Sequence, residues 1–565
     1  MVRGQRSRQH AGAAAALAAY TLLSIALFGR GVIGAPGDRV VGDGGADKSI
    51  FMWAFEWWPY AIAKLEDPLD ANVVWMPHNI DLAWVADVPL ASVAAWPLTY
   101  LAGPVVTYNV LALAAPAVSA WTAFLLCRRV TAGMLPSLFG GFTFGFSSYQ
   151  IGQTVGHLHL TLVFLIPLCA LVVLDRYEER VSRRRAICLL AAALLAQLLL
   201  STELFALLLL SGATYAIVVL WRFQSTQRVR ARAVMVEVAI AVVAALTIAS
   251  PYLLHAFASR EAQPVRSPTA ESADILNLVV PTRRTMLRPP GSESVTQRFT
   301  ATGAERGAYL GIPLIAILAL FASQRPLSRV RQSLLFGAAA LALASLGPRV
   351  HVAGHVVGVG PWWPLAKLPI SDGALPVRMS VFVSLLVSLC CALWLADRGD
   401  HPLARWLLAG IAVVALLPTF SGRLWVAEVP RSSYFSNARY THHIAPGETA
   451  LVLPYGPGGW SLLWQAEAGF RMRLVGGHFG RWTTPAEADW NDVYRSLGPR
   501  TLPGGPSRLR EFLAAHDVAV VVVGPGTPAT AARLVRNTFV GEPAIRSGDA
   551  LVYRTRPLSG AARER

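Results

Sequence analysis

Lysine is almost missing from this chain: of 50 basic residues only Lys48, Lys64 and Lys367 are lysine. Such arginine-weighted usage points to a GC-rich bacterial genome. Cysteine is scarce too. The five, Cys127, Cys169, Cys188, Cys390 and Cys391, lie inside or at the ends of apolar blocks, which excludes a disulfide framework and a cysteine metal site. Only 15% of residues are charged against 54% hydrophobic, with a mean hydropathy of +0.46. That balance excludes an ordinary soluble domain. Gly456, Gly458 and Gly459 lack the spacing and downstream lysine of a phosphate loop. No serine-hydrolase elbow, zinc motif or internal repeat is present.

What is present is apolar sequence in blocks of roughly 15 to 24 residues, the length needed to cross about 30 Å of hydrocarbon. A formal charge of +17 and a pI near 10.2 would suggest nucleic acid in a soluble chain. Here the arginines cluster between apolar blocks, at 3–8, 128–129, 176–185, 222–232, 325–331 and 398–405. The charge therefore reads as topology, with these clusters in the cytoplasm and no nucleic-acid partner.

The expected fold is a polytopic α-helical membrane protein of about eleven crossings: 11–28, 105–127, 135–146, 158–174, 186–200, 204–221, 234–257, 309–321, 333–346, 379–396 and 406–420. The N-terminus is cytoplasmic, and 11–28 is an uncleaved first helix, because residues 34–38 offer only a weak cleavage site. Segment 88–102 carries Pro89 and Pro97 and is placed at the interface or as a re-entrant piece; if it spanned, Arg128, Arg129 and the 176–185 cluster would fall outside. Residues 1–420 form the membrane domain, with outer loops at 29–104 and 258–307. From 421 to 565, strands alternate with helices as in a small extracytoplasmic α/β domain.

The stretch 41–84 interleaves Asp43, Asp47, Glu56, Glu66, Asp67, Asp70 and Asp81 with Trp53, Trp57, Trp58, Trp75 and Trp84. Indoles favour a membrane interface, whereas carboxylates there need water, a metal or a substrate. Within it, Phe51, Phe55, Trp58 and Ile62 fall at helical spacing, so 49–64 is expected to lie along the interface. Asp43 stands in a glycine-rich turn, where a plain loop carboxylate is at home. Asp47 places a divalent metal (Mg or Mn), orients a substrate or caps the following helix. His157 and His159, at the outer end of a membrane segment, bind substrate or pack at the interface. Arg378 lies opposite the cytoplasmic arginines, where it could meet a phosphate or snorkel to head groups. Asp274, Arg283 and Arg284, in the long loop, are a second candidate wall or a solvated charged face.

Several motifs in order resemble one family. They are Gly42–Asp43, Asp47, Trp53, Trp57, then Asp70, Ala71 and Asn72 with Pro77, and Gly140 to Tyr149 with His157 and His159. Asp274 to Pro281, Tyr309 to Gly311, and Leu375 to Arg378 continue the series. Together they resemble the GT-C superfamily of multispanning glycosyltransferases that use polyprenyl-phosphate-linked sugars, and within it a bacterial YfhO-like branch. The resemblance covers most of the membrane part. It implies a bacterial inner-membrane transferase moving sugar from polyprenyl phosphate to an extracytoplasmic glycan, lipid or protein acceptor, with Asp43 as general base. The competing expectations are a transporter of lipid-linked sugars, for which Glu203 and Glu237 are the few intramembrane charges, and an inactive envelope scaffold.

Overall fold

The computed structural model describes every residue except 1, 46, 260–266, 325, 368–373, 398–400, 457–458, 481–483, 499, 501–502 and 558–565. In hydrocarbon every backbone polar group must be satisfied within its own segment, so apolar blocks become helices. Six among the described residues are long and apolar enough to cross a membrane: His10–Gly29, Pro104–Thr131, Leu158–Tyr177, Thr202–Arg222, Ser225–Ile248 and Pro376–Ala396. Gly311–Ser323 and Pro402–Leu416 are shorter apolar helices. Segment 88–102 is two short helices, Pro89–Ala94 and Trp96–Ala102, broken at Ala95 just before the Trp96–Pro97 bond. Neither is long enough to span.

Compactness divides the chain differently from composition. One unit is Met1–Arg30, Leu111–Leu253 and Pro264–Trp425; the other is Gly31–Val110, Leu254–Gln263 and Val426–Arg565. In the first, helix Met134–Gly145 packs closely because it lacks side chains at key points. A Cβ at Gly141 would lie 2.6 Å from the Ala120 carbonyl, and one at Gly145 2.4 Å from the Ala120 Cβ. The glycine run at 140–145 is thus explained by helix packing rather than by a ligand.

In the second unit the residues after 426 build a five-stranded sheet in the order Ile545–Ser547, Ala550–Arg554, Val520–Val523, Thr449–Leu453, Arg473–Leu474. Thr449–Leu453 runs parallel to both of its neighbours, and the remaining pairs are antiparallel. An edge strand exposes unpaired backbone. Here residues 73–76 cover it: Leu474 N–H donates to Val73 O at 2.8 Å, and Met76 N–H to Leu474 O at 3.1 Å. Helix Asp47–Ala63 does not have the polar face that an interfacial helix needs. Trp53 and Trp57 lie toward the side opposite Phe51, Phe55 and Trp58, with Ile50, Met52 and Ala54 on the flanks, and all eight are buried. A helix apolar all round goes inside, and this one packs against helix Ser461–Glu467.

Candidate functional site

Strand Arg39–Val41 pairs antiparallel with Val426–Glu428 and leads directly to Asp43. Asn109 pins this approach. Its Oδ1 accepts from Val41 N–H at 2.9 Å, while its Nδ2 donates to Pro36 O at 2.9 Å and Arg39 O at 2.7 Å. The Asp43 turn then wraps around the fully buried ammonium of Lys48. That group has three donors, and it uses them on the Asp43 backbone carbonyl, on Asp43 Oδ1 at 3.3 Å and on Gly45 O at 3.3 Å. Burial lowers the Lys48 pKa despite the opposing pull of Asp43. The Asp43 side chain remains 44% exposed, so a sealed anchor holds an open carboxylate. Asp47 opens the next helix, and its Oδ1 accepts from His478 Nε2 at 2.8 Å.

An ammonium sits against Asp43, an imidazole against Asp47, and among the described residues no three His, Cys, Asp or Glu converge as a metal site.

In the other unit a buried polar chain links two of the expected residues. His157 Nδ1 meets Gln153 Oε1 at 2.7 Å, and Gln153 Nε2 donates to Glu305 Oε2 at 2.9 Å. Because a carboxylate only accepts, the Gln153 amide nitrogen faces Glu305, its oxygen faces His157, and the His157 proton on this side sits on Nδ1. Glu305 in turn receives Arg378, from Nε at 3.2 Å and Nη2 at 2.6 Å, while Arg378 Nη1 bonds Glu203. Glycines make the approach possible. A Cβ on Gly152 would lie 2.6 Å from Ala304 O, and one on Gly307 2.8 Å from Tyr149 Cα, so the 304–307 segment lies directly on helix Ser148–Gln153. Burial pushes the Glu305 carboxyl up, but Arg378 outweighs it and holds it at about 2.

This arrangement corrects the expectation for Arg378. Its guanidinium is buried and already engaged by the Glu203 and Glu305 carboxylates, so its donors are taken up within the protein rather than turned toward a phosphate. Asp274 is not a substrate wall either. Its buried carboxylate accepts from the backbone N–H groups of Leu276 at 2.9 Å, Ala353 at 3.1 Å and Gly354 at 2.8 Å, tying a short helix to a hairpin. Arg284 is buried and bonds Gly303 O, whereas Arg283 is exposed. The His159 ring centroid lies 6.4 Å from that of His157. Sequence reasoning did not single out Lys48, Asn109, His478, Gln153 or Glu305, and it weighed Glu203 only as a transport charge. Lys48 carried a usable signal, being one of three lysines and five residues from Asp43, and Gln153 stands four residues before His157; Asn109, His478 and Glu305 meet their partners only through the fold.

The family described as "Domain of unknown function (DUF6311)" matches residues 15–417. The chain belongs to this family. No curated protein matches in sequence. Among solved structures, the arabinofuranosyltransferase AftD from Mycobacteria superposes with a TM-score of 0.58 at 14% identity, over 96% of this chain and 41% of that one. This chain thus spans about two fifths of AftD. The oligosaccharyltransferase of Archaeoglobus fulgidus gives 0.52 at 12% identity, over 90% and 69%. Its complex with an inhibitory peptide and a dolichol-phosphate gives 0.51 at 12%, over 91% and 69%. The fold is that of GT-C membrane glycosyltransferases, and the chain is an integral membrane protein.

Proposed function

We propose that this chain is a glycosyltransferase that moves a sugar from a polyprenyl phosphate carrier to an extracytoplasmic glycan, lipid or protein acceptor in the bacterial inner membrane. The observation that carries this reading is the shared fold with AftD over 96% of the chain, together with an open carboxylate, Asp43, on the turn after the first strand. Asp43 takes the proton of the acceptor hydroxyl, and that oxygen attacks the anomeric carbon from the face opposite the phosphate. The carbon–oxygen bond to phosphate breaks with its electron pair on the leaving polyprenyl phosphate, giving an inverted product. Lys48 keeps the Asp43 turn in place through the step. The residues after 426 hold the outer loop from behind, and the N-terminus lies in the cytoplasm with this region outside.

The test is incorporation of radiolabelled sugar from polyprenyl phosphate donors into envelope fractions, with wild type and Asp43→Asn at matched membrane expression. A labelled product that is lost with Asp43→Asn supports the reading. Equal labelling removes Asp43 from the mechanism, and no labelling from any donor removes the transferase reading.

A further inference from the structure

The second carboxylate of the acidic turn has a partner from the far end of the sequence. His478 Nε2 stands 2.8 Å from Asp47 Oδ1 across 431 residues of chain. Since the carboxylate accepts only, Nε2 carries the proton. The placement is built rather than incidental. Gly476 and Gly477, at φ +105° and +156°, bring the chain through a path closed to most side chains. Phe479 then lies edge-on to Trp53, with centroids 5.2 Å apart and planes at 86°. The Trp53 indole N–H donates to Gln465 Oε1 at 2.9 Å, and Gln465 Nε2 donates to Val73 O at 2.7 Å and Met472 O at 3.0 Å. The helix that starts at Asp47 and the loop that carries His478 are therefore locked to each other by both packing and hydrogen bonds.

Two further facts separate this pair from an ordinary surface contact. His478 is only 9% exposed whereas Asp47 is 42% exposed, so a sealed imidazole holds an open carboxylate, as Lys48 does for Asp43. In addition, His478 Nδ1 is buried and finds no hydrogen-bond partner among the described residues. An unmatched buried polar atom costs stability, so an apolar residue would serve packing better at this place.

We propose that His478 is a positioning residue for sugar recognition: it fixes the Asp47 carboxylate so that Asp47 accepts hydrogen bonds from hydroxyls of the lipid-linked sugar. A carboxylate has acceptor sites for about four hydrogen bonds, and the Asp47 side chain is 42% exposed to what approaches it. The region after 426 thus supplies part of the donor-sugar subsite. This rests on the transferase reading above, and the experiment separates the two.

Purified protein is titrated with bare undecaprenyl phosphate and with its hexose- and pentose-linked forms, reading the thermal shift and, with labelled donor, KM and kcat. His478→Ala should weaken the response to the sugar-linked lipid about 10- to 100-fold, the size of one hydrogen bond to a charged group, and leave that to bare lipid phosphate unchanged. KM for the donor should rise by the same factor while kcat changes little. His478→Gln, which keeps an N–H donor, should recover most of the loss, and adding His478→Ala to Asp47→Asn should cost nothing more. Should His478→Ala not fold, Asp47→Asn must show the same selective loss. Equal loss for bare and sugar-linked lipid, or none for either, overturns the proposal and leaves the transferase reading intact. Binding with selective loss but no turnover supports His478 while removing the transferase reading. No response to any lipid overturns both.

Discussion

Two ionic clusters in this chain use the same residue types to opposite ends. In the acidic turn the cationic or donor partner is sealed and the carboxylate is open: Lys48 is fully buried beneath Asp43, and His478 nearly so beneath Asp47. In the Glu203–Arg378–Glu305 cluster Arg378 and Glu305 are buried and Glu203 is only 18% exposed, and the carboxylates are spent on the guanidinium. A buried charge is tolerated only when it is paired and hydrogen-bonded, so the second cluster is a tie between segments. An open carboxylate on a fixed turn keeps its acceptor capacity for something that arrives from solvent. Exposure, more than charge, separates the group that can react from the group that holds.

That contrast can be broken by experiment. The largest effect expected is on turnover: Asp43→Asn should lower sugar transfer by about 10²- to 10⁴-fold per folded molecule, the usual contribution of a general base. Arg378→Ala should do the reverse, costing about 3–5 kcal/mol of stability because the buried Glu305 carboxylate loses its counter-charge, as read from thermal unfolding in detergent. The same cluster predicts a pH dependence. Glu305 is held at about 2 against an ordinary 4.5, so its contribution is fully present above pH 4.5 and is lost as pH falls through about 2. Glu305→Gln should flatten that part of the stability profile. Asn109→Leu leaves Val41 N–H and two carbonyls without their partner and should cost about 1–3 kcal/mol, with transfer falling as the Asp43 approach loosens. Arg283→Ala, at an exposed position, should stay within about 0.5 kcal/mol of wild type in the same unfolding assay. A larger change there would mean that exposure is a poor guide in this protein.

Much of the site's raw material was legible because it is local. Asp43, Asp47 and the tryptophans lie within a few turns of one another, and the helix start at Asp47 follows from the residue type. The strands at Thr449–Leu453 and Val520–Val523 were visible as apolar runs between helical stretches. The misreadings are non-local. Arg378 looked like an unexplained cation because its partners lie 73 and 175 residues away. Asp274 looked like a loop carboxylate because the N–H groups that saturate it come partly from residues 353 and 354. The helix at 47–63 looked interfacial because the helix that covers it, Ser461–Glu467, lies about 400 residues further along the chain.

The sequence by itself determined that the chain is built of membrane-length apolar helices and that its carboxylates and indoles concentrate in the stretch 41–84, because hydropathy and residue spacing act over one segment at a time. Only the tertiary structure decided which charges are open and which are spent. It also joined residues 31–110 to those after 426 in one compact unit and put His478 on Asp47. The reason is physical: the free energy of a charge depends on its burial and on partners within a few ångströms, and neither is a property of sequence neighbours.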